Sequence, residues 1–243
     1  MAAKGNRLGK DRRRPRQRLT LFDLDNTLLE GDSDYGWGQF LIEAGVVERA
    51  DYESRNAAFY DDYKAGRLDI HAFLAFQLKP LAEHEPSQLL AWRKRFLDEK
   101  IRPMLLPAAK AVVAERLAAG DLVAVVTATN SFVTRPIAAM YGIEHLVATR
   151  PQSIGGRFTG KVAGTPCFRQ GKLVCVAEWL TGLGRGLRDF RESWFFSDSH
   201  NDLPLLSAVT HPVAVDPDPT LAEHASARGW PVLSWRRAAP APG

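Results

Sequence analysis

Cysteine is nearly absent: Cys167 and Cys175 are the only two in 243 residues. With no second pair and no histidine at zinc-ligand spacing they read as reduced thiols, which excludes a disulfide framework. Long apolar runs are missing too. Stretches such as Leu122 to Val126 fall far short of the roughly 20 apolar residues that a membrane span needs. The N-terminus is basic with no apolar segment behind it, so neither a span nor a secretory signal is visible. A cytoplasmic protein without membrane partners is expected. What is present, 45% apolar and 25% charged residues, suits a globular chain with a full core and excludes disorder, collagen and coiled coil.

The net charge of +4 divides unevenly. Residues 1–19 carry eight cations (Lys4, Arg7, Lys10, Arg12, Arg13, Arg14, Arg16 and Arg18) against Asp11 alone, a balance of +7, which leaves −3 for the rest. Such an arm could meet nucleic-acid phosphates. It has no aromatic residue to stack on bases, and a solvated, disordered arm over 1–18 is the favoured reading.

After the arm, Leu19-Thr20-Leu21-Phe22 reads as a buried strand stopping at the polar Asp23-Leu24-Asp25-Asn26-Thr27. Residues 34–103 are helical by spacing and hold 11 of the 23 aromatic residues, which the core of a small helical unit explains. From Pro103 helices and strands alternate. The pattern predicts a helix from Pro107 with Ala109, Val113 and Leu117 on one stripe, a strand over Leu122 to Val126, and a short helix over Pro136 to Tyr141. It further predicts a hairpin around Gly155-Gly156, a helix through Leu173, Val176, Ala177 and Leu180, and strands at Trp194 to Phe196 and Pro212 to Val215. That alternation implies an α/β fold with a doubly wound, mostly parallel sheet. The α/β core is expected at 19–33 and 104–237, with 34–103 inserted as a helical cap and 238–243 as a frayed tail.

Three strands end in polar clusters: Asp23-x-Asp25-x-Thr27, Thr127-Ala128-Thr129-Asn130 and Asp198-Ser199-His200-Asn201-Asp202. Singly, each is a set of turn formers or caps. In a parallel sheet they converge on the crevice at the carboxyl ends of the strands. Four carboxylates there would repel one another unless a hard divalent cation neutralised them.

With these motifs the chain resembles the haloacid dehalogenase superfamily. The likeness rests on Phe22-Asp23-Leu24-Asp25-Asn26-Thr27-Leu28, on Thr127 ending a strand, on a lysine opening a helix, and on Ser197-Asp198-Ser199-His200-Asn201-Asp202-Leu203-Pro204. The helical insertion between the first two motifs is similar to the subfamily containing phosphoserine phosphatase. The resemblance implies an Mg²⁺-dependent phosphomonoester hydrolase with Asp23 as nucleophile and Asp25 as general acid and base. It places Thr127 and Lys172 on the phosphate, Mg²⁺ on Asp23, Asp198 and the Asp25 main-chain carbonyl, and Asn201 and Asp202 in support. Lys161 competes for the lysine role, but Gly171 and a helical pattern frame Lys172, whereas Lys161 lies in the hairpin.

For substrate choice, the resemblance puts Asp32 where an ammonium would be received and Gln77 near where an arginine would hold a carboxylate. An amide binds a carboxylate far more weakly than a guanidinium does. An amine-bearing, carboxylate-free small phosphorylated metabolite with a planar ring is therefore expected. The cap and the terminal Gly229-Trp230-Pro231-Val232-Leu233 also resemble bacterial histidinol-phosphate phosphatases of the subfamily. Phosphoserine hydrolysis, phosphoryl transfer to an alcohol, a signalling receiver domain and a nucleic-acid module are the alternatives. The oligomeric state is not legible.

Overall fold

The computed structural model describes residues 17–236. The chain runs β1 (Leu19–Phe22), α1 (Ser33–Glu43), α2 (Arg49–Lys64), α3 (Ile70–Glu83), α4 (Pro86–Phe96), α5 (Arg102–Met104) and α6 (Pro107–Ala118). Then follow β2 (Leu122–Asn130), α7 (Ser131–Met140), β3 (His145–Thr149), β4 (Pro151–Ile154), β5 (Arg157–Val162) and α8 (Gln170–Gly182). The last elements are β6 (Ser193–Ser197), α9 (Leu203–Leu206), β7 (His211–Val215), α10 (Pro219–Arg228) and β8 (Val232–Leu233).

Six strands form one sheet in the order β3-β2-β1-β6-β7-β8, and every pairing is parallel. The chain winds outward from β1 through β2 and β3, then returns to the other side of β1 with β6. That reversal is the switch point at which α/β sheets bind ligands. Register makes the crevice: Phe22 pairs with Val125 on one side and Phe196 on the other, so Asp23, Thr127 and Asp198 emerge at the same edge. The hairpin forms as expected, with Gly155 (φ +58°) and Gly156 (φ +81°) supplying the two left-handed turn positions.

Alternation along the strands splits the core. Leu19, Leu21, Ala124, Val126 and Phe195 face α8, α9 and α10 through Val176, Leu180, Leu205, Leu206 and Leu221. Phe22, Val123, Val125, Phe196 and Val213 face the other way. That second layer is continuous with Trp37, Phe40, Leu74, Leu78 and Phe96 of the inserted helices, so insert and sheet share apolar packing. The Trp37 ring lies 5.6 Å from Phe40 and 5.2 Å from Phe96. Truncating a buried aromatic of this kind costs about 3–5 kcal/mol.

Several expectations need correction. The arm does not extend to residue 18: Gln17 donates to the Gly120 carbonyl at 3.0 Å, and Arg18 Nε pairs with the buried Asp121 at 2.7 Å. The remaining arm residues, 1–16, and the tail 238–243 lie outside the described residues. Leu117 is exposed and does not extend the buried stripe of Ala109 and Val113. The helix expected from Pro136 begins at Ser131, capped by Asn130 Oδ1 accepting from the Val133 N–H at 3.2 Å. Pro136 sits inside it and leaves the Phe132 carbonyl without its helical donor. Arg93 Nη1 of α4 donates to that carbonyl instead, at 2.8 Å.

Candidate active site

The β1–α1 loop turns sharply at Asn26, a non-glycine residue at φ +57°, and the turn is closed by an Asn26 N–H to Gly31 carbonyl bond of 2.8 Å. It sends Asp25 back over the strand ends. Asp25 Oδ1 accepts from the Ser33 N–H at 2.6 Å, and Oδ2 accepts from Thr129 Oγ1 at 2.7 Å and from Thr127 Oγ1 at 3.4 Å. Thr27 links the first motif to the last: its hydroxyl donates to Asp198 Oδ1 at 3.1 Å and accepts from the Asp198 N–H at 3.0 Å.

Lys172, in the first turn of α8, is buried between two carboxylates, with Nζ 2.7 Å from both Asp23 Oδ1 and Asp202 Oδ2. Gly171 makes this approach feasible, since a Cβ there would lie 2.1 Å from the Pro166 carbonyl oxygen. Burial opposes the charge on Lys172, yet Asp202 and Asp23 outweigh it and raise the ammonium's pKa. Lys161 is exposed on β5. Asp202 also accepts from Ser197 Oγ at 2.7 Å and so does not use its carboxylate to cap α9.

Burial pushes Asp23 up to about 7 despite Lys172, with Asp202 and Asp25 adding repulsion. Burial, then Asp23 and Asp202, lifts Asp198 well above the carboxylate range. These groups resist ionising together, and hard oxygen donors in that condition suit Mg²⁺. Among the described residues no three acidic, histidine or cysteine side chains are grouped to hold a metal by themselves. A set completed by a main-chain carbonyl and water is consistent with that.

The insert overlies the crevice. Asn201 Nδ2 donates to the Tyr63 carbonyl at 3.3 Å, Arg169 donates to Asn201 Oδ1 at 2.9 Å and also to the Gly66 carbonyl, and Tyr63 OH donates to Ser199 Oγ at 3.3 Å. The cavity beneath is lined by Asp23, Asp25, Thr127, Thr129, Lys172, Asn201 and Asp202 together with Asp32, Asp34, Tyr35, Phe59, Tyr60 and Phe73.

Of the two residues expected at the substrate, only Asp32 lines the cavity. Its Oδ1 also caps α1, accepting from Asp34 N–H at 2.9 Å and Tyr35 N–H at 2.8 Å, and burial followed by Asp25 raises it to about 7. Gln77 does not line the cavity. It is buried behind the wall, donating to Asn56 Oδ1 at 3.3 Å and to the Asp34 carbonyl at 3.4 Å, and accepting from Tyr52 OH at 3.4 Å. Sequence reasoning does not single out Thr129, although its position two residues beyond Thr127 puts both on one face of β2. Nothing in the sequence signals Tyr63 or Arg169.

Fold and site together define a class, an α/β enzyme with aspartates gathered at the ends of parallel strands. The chain belongs to the haloacid dehalogenase-like hydrolases, whose family pattern matches residues 20–207. It is 42% identical over 219 residues to a histidinol-phosphatase of Neisseria meningitidis, covering 90% of this chain and 99% of that one. A crystal structure of a Bordetella pertussis protein of unknown function is 50% identical, with a TM-score of 0.87 over 91% of this chain and 100% of that one. A phospho-aspartyl intermediate analogue of phosphoserine phosphatase, 20% identical, has the same fold, with a TM-score of 0.65 over 91% and 95% of the two chains. No helix among the described residues is long and apolar enough to cross a membrane.

Proposed function

We propose that this phosphatase hydrolyses a small amine-bearing phosphomonoester, histidinol phosphate fitting best, through an aspartyl-phosphate on Asp23. The observation that carries the mechanism is the difference between its two neighbouring aspartates. Asp23 is paired through Oδ1 with Lys172, whereas Asp25 is held by one amide and two hydroxyls. A carboxylate beside a fixed cation suits attack on phosphorus, and one held by directed donors suits proton transfer.

In the first step an Asp23 oxygen bonds to phosphorus as the ester oxygen leaves with a proton from Asp25. In the second, Asp25 takes a proton from water, the hydroxyl bonds to phosphorus, and the Asp23–phosphate bond breaks to release inorganic phosphate. Lys172 and Thr127 hold the charge on the transferring group. Mg²⁺, when bound, supplies charge neutralisation; Asp23, Asp198 and the Asp25 carbonyl would hold it, with Asp202 and Asn201 behind.

The substrate reading draws on the 42% identity to a protein named for histidinol phosphate and on what the cavity wall holds. Among the described lining residues the only lysine or arginine is Lys172, already engaged by Asp23 and Asp202. No guanidinium there can receive the carboxylate of phosphoserine, whereas Asp32 can receive an amine. A panel of phosphomonoesters assayed with Mg²⁺ and with a chelator tests this. Histidinol phosphate should lead phosphoserine in kcat/KM, and activity should vanish with the chelator. A preference for phosphoserine overturns the substrate, and full activity under chelation overturns the metal.

A further inference from the structure

Asp34 is a buried carboxylate, 6% exposed, on the cavity wall in the first turn of α1. Its Oδ1 has no hydrogen-bond partner. The bonds of the surrounding network go to other acceptors: Asn56 Nδ2 donates to the Tyr35 carbonyl at 3.2 Å, Gln77 Nε2 to Asn56 Oδ1 and the Asp34 carbonyl, and Tyr52 OH to Gln77 Oε1. These bonds fix the main chain around Asp34 while leaving its carboxyl unserved. A buried acceptor without a donor is costly, and on a cavity wall a bound ligand can supply the missing partner.

We propose that Asp34 is a specificity-determining residue that accepts a hydrogen bond from a ring N–H of the substrate, while Asp32 receives its amine. The inference rests on the reading of the substrate given above and adds a second recognition point to it. The placement follows the order of groups along such a substrate, phosphate, then amine, then ring. Asp34 follows Asp32 by two residues in the first turn of α1, and both line the same cavity. Phe59, Tyr60 and Phe73 line the same cavity and offer apolar faces to a planar ring. Burial, with Asp32 and Asp25 close by, pushes Asp34 well up, so the carboxyl gains most from a donor that carries positive charge.

The test compares two substrates that share phosphate and amine and differ only in the ring: histidinol phosphate and the phosphate ester of phenylalaninol, which has no ring nitrogen. The wild-type protein should favour histidinol phosphate in kcat/KM by at least about tenfold, the scale of a hydrogen bond to a charged group. In Asp34→Asn that ratio should collapse to within about threefold. A residue acting only on the fold would lower both substrates alike and leave the ratio in place. Should Asn disturb the N-terminus of α1, Asp34→Ser gives the same comparison. A wild-type ratio near one, or a large ratio that survives both substitutions, overturns the role of Asp34. Failure of the underlying substrate reading looks different, because phosphoserine would then outrun histidinol phosphate in the wild-type protein.

Discussion

Thr129 Oγ1 donates to Asp25 Oδ2 at 2.7 Å, a shorter bond than the 3.4 Å contact from Thr127 to the same oxygen. The second threonine of the strand end therefore orients Asp25, the carboxylate proposed for proton transfer, and leaves Thr127 freer for the phosphoryl group it is proposed to meet. Thr129→Val should lower kcat roughly 10- to 100-fold with little change in KM, since misaligned proton transfer is felt in the transition state. Thr129→Ser, which keeps the hydroxyl, should restore most of the rate. Equal losses in both variants would assign Thr129 to packing.

Lys172 stands between Asp23 and Asp202, whereas Lys161 is exposed on the hairpin. Lys172→Ala should cost roughly 100-fold or more in kcat/KM, the scale of removing a charge-stabilising donor. Lys161→Ala should leave kcat/KM within about twofold, as surface substitutions do. Steady-state kinetics on one substrate separates them, and a reversed pattern would move the phosphate-binding lysine to the hairpin.

The acidic crevice also fixes how a divalent cation should stabilise the fold. Asp23 and Asp32 sit at about 7 in the folded chain, against about 3.9 when unfolded. Between those values the folded state holds protons that the unfolded state has released, so in chelator these two groups erode stability as pH rises from about 4 to 7. Mg²⁺ competes with the protons and should raise Tm more at pH 8 than at pH 5. Thermal melts with Mg²⁺ and with chelator at both pH values give the difference directly. An equal shift at both would mean that the carboxylates are ionised throughout.

Arg93 compensates for Pro136 by serving the Phe132 carbonyl. Arg93→Leu should destabilise the fold by about 1–3 kcal/mol, the cost of leaving such an acceptor unserved. Pro136→Ala returns a helical N–H to the same carbonyl, so the double variant should recover stability lost in the single one. Additive losses in denaturant unfolding would contradict the compensation.

Parallel strands explain why so much of the site was legible. Residues that follow an apolar run emerge at one sheet edge whatever the helices do, so Asp23, Asp25, Thr127 and Asp198 could be placed together from sequence. Lys172 is preferred over Lys161 in the sequence because Gly171 precedes it and a helical pattern follows; that Gly171 lets α8 start against the Pro166 carbonyl is visible only in the structure. Helical segments are harder, because several faces of one helix can be buried. Phe76, Gln77 and Leu78 are all buried, and no periodicity tells whether the polar one faces a ligand or a neighbouring amide. Proline misled at Pro136, since the same residue suits a helix start and, where a donor such as Arg93 stands by, a helix interior. Arg18 looked like one more cation of a basic arm because its partner, Asp121, lies 103 residues away.

The central claim is covalent catalysis by Asp23, and trapping the intermediate tests it most directly. Wild-type protein mixed with histidinol phosphate and Mg²⁺, quenched in acid during turnover and digested, should carry a phosphoryl group on the peptide containing Asp23, detected by mass spectrometry. Asp23→Asn should neither carry the group nor turn over. Phosphate release with no label on that peptide, together with undiminished turnover by Asp23→Asn, would contradict the account.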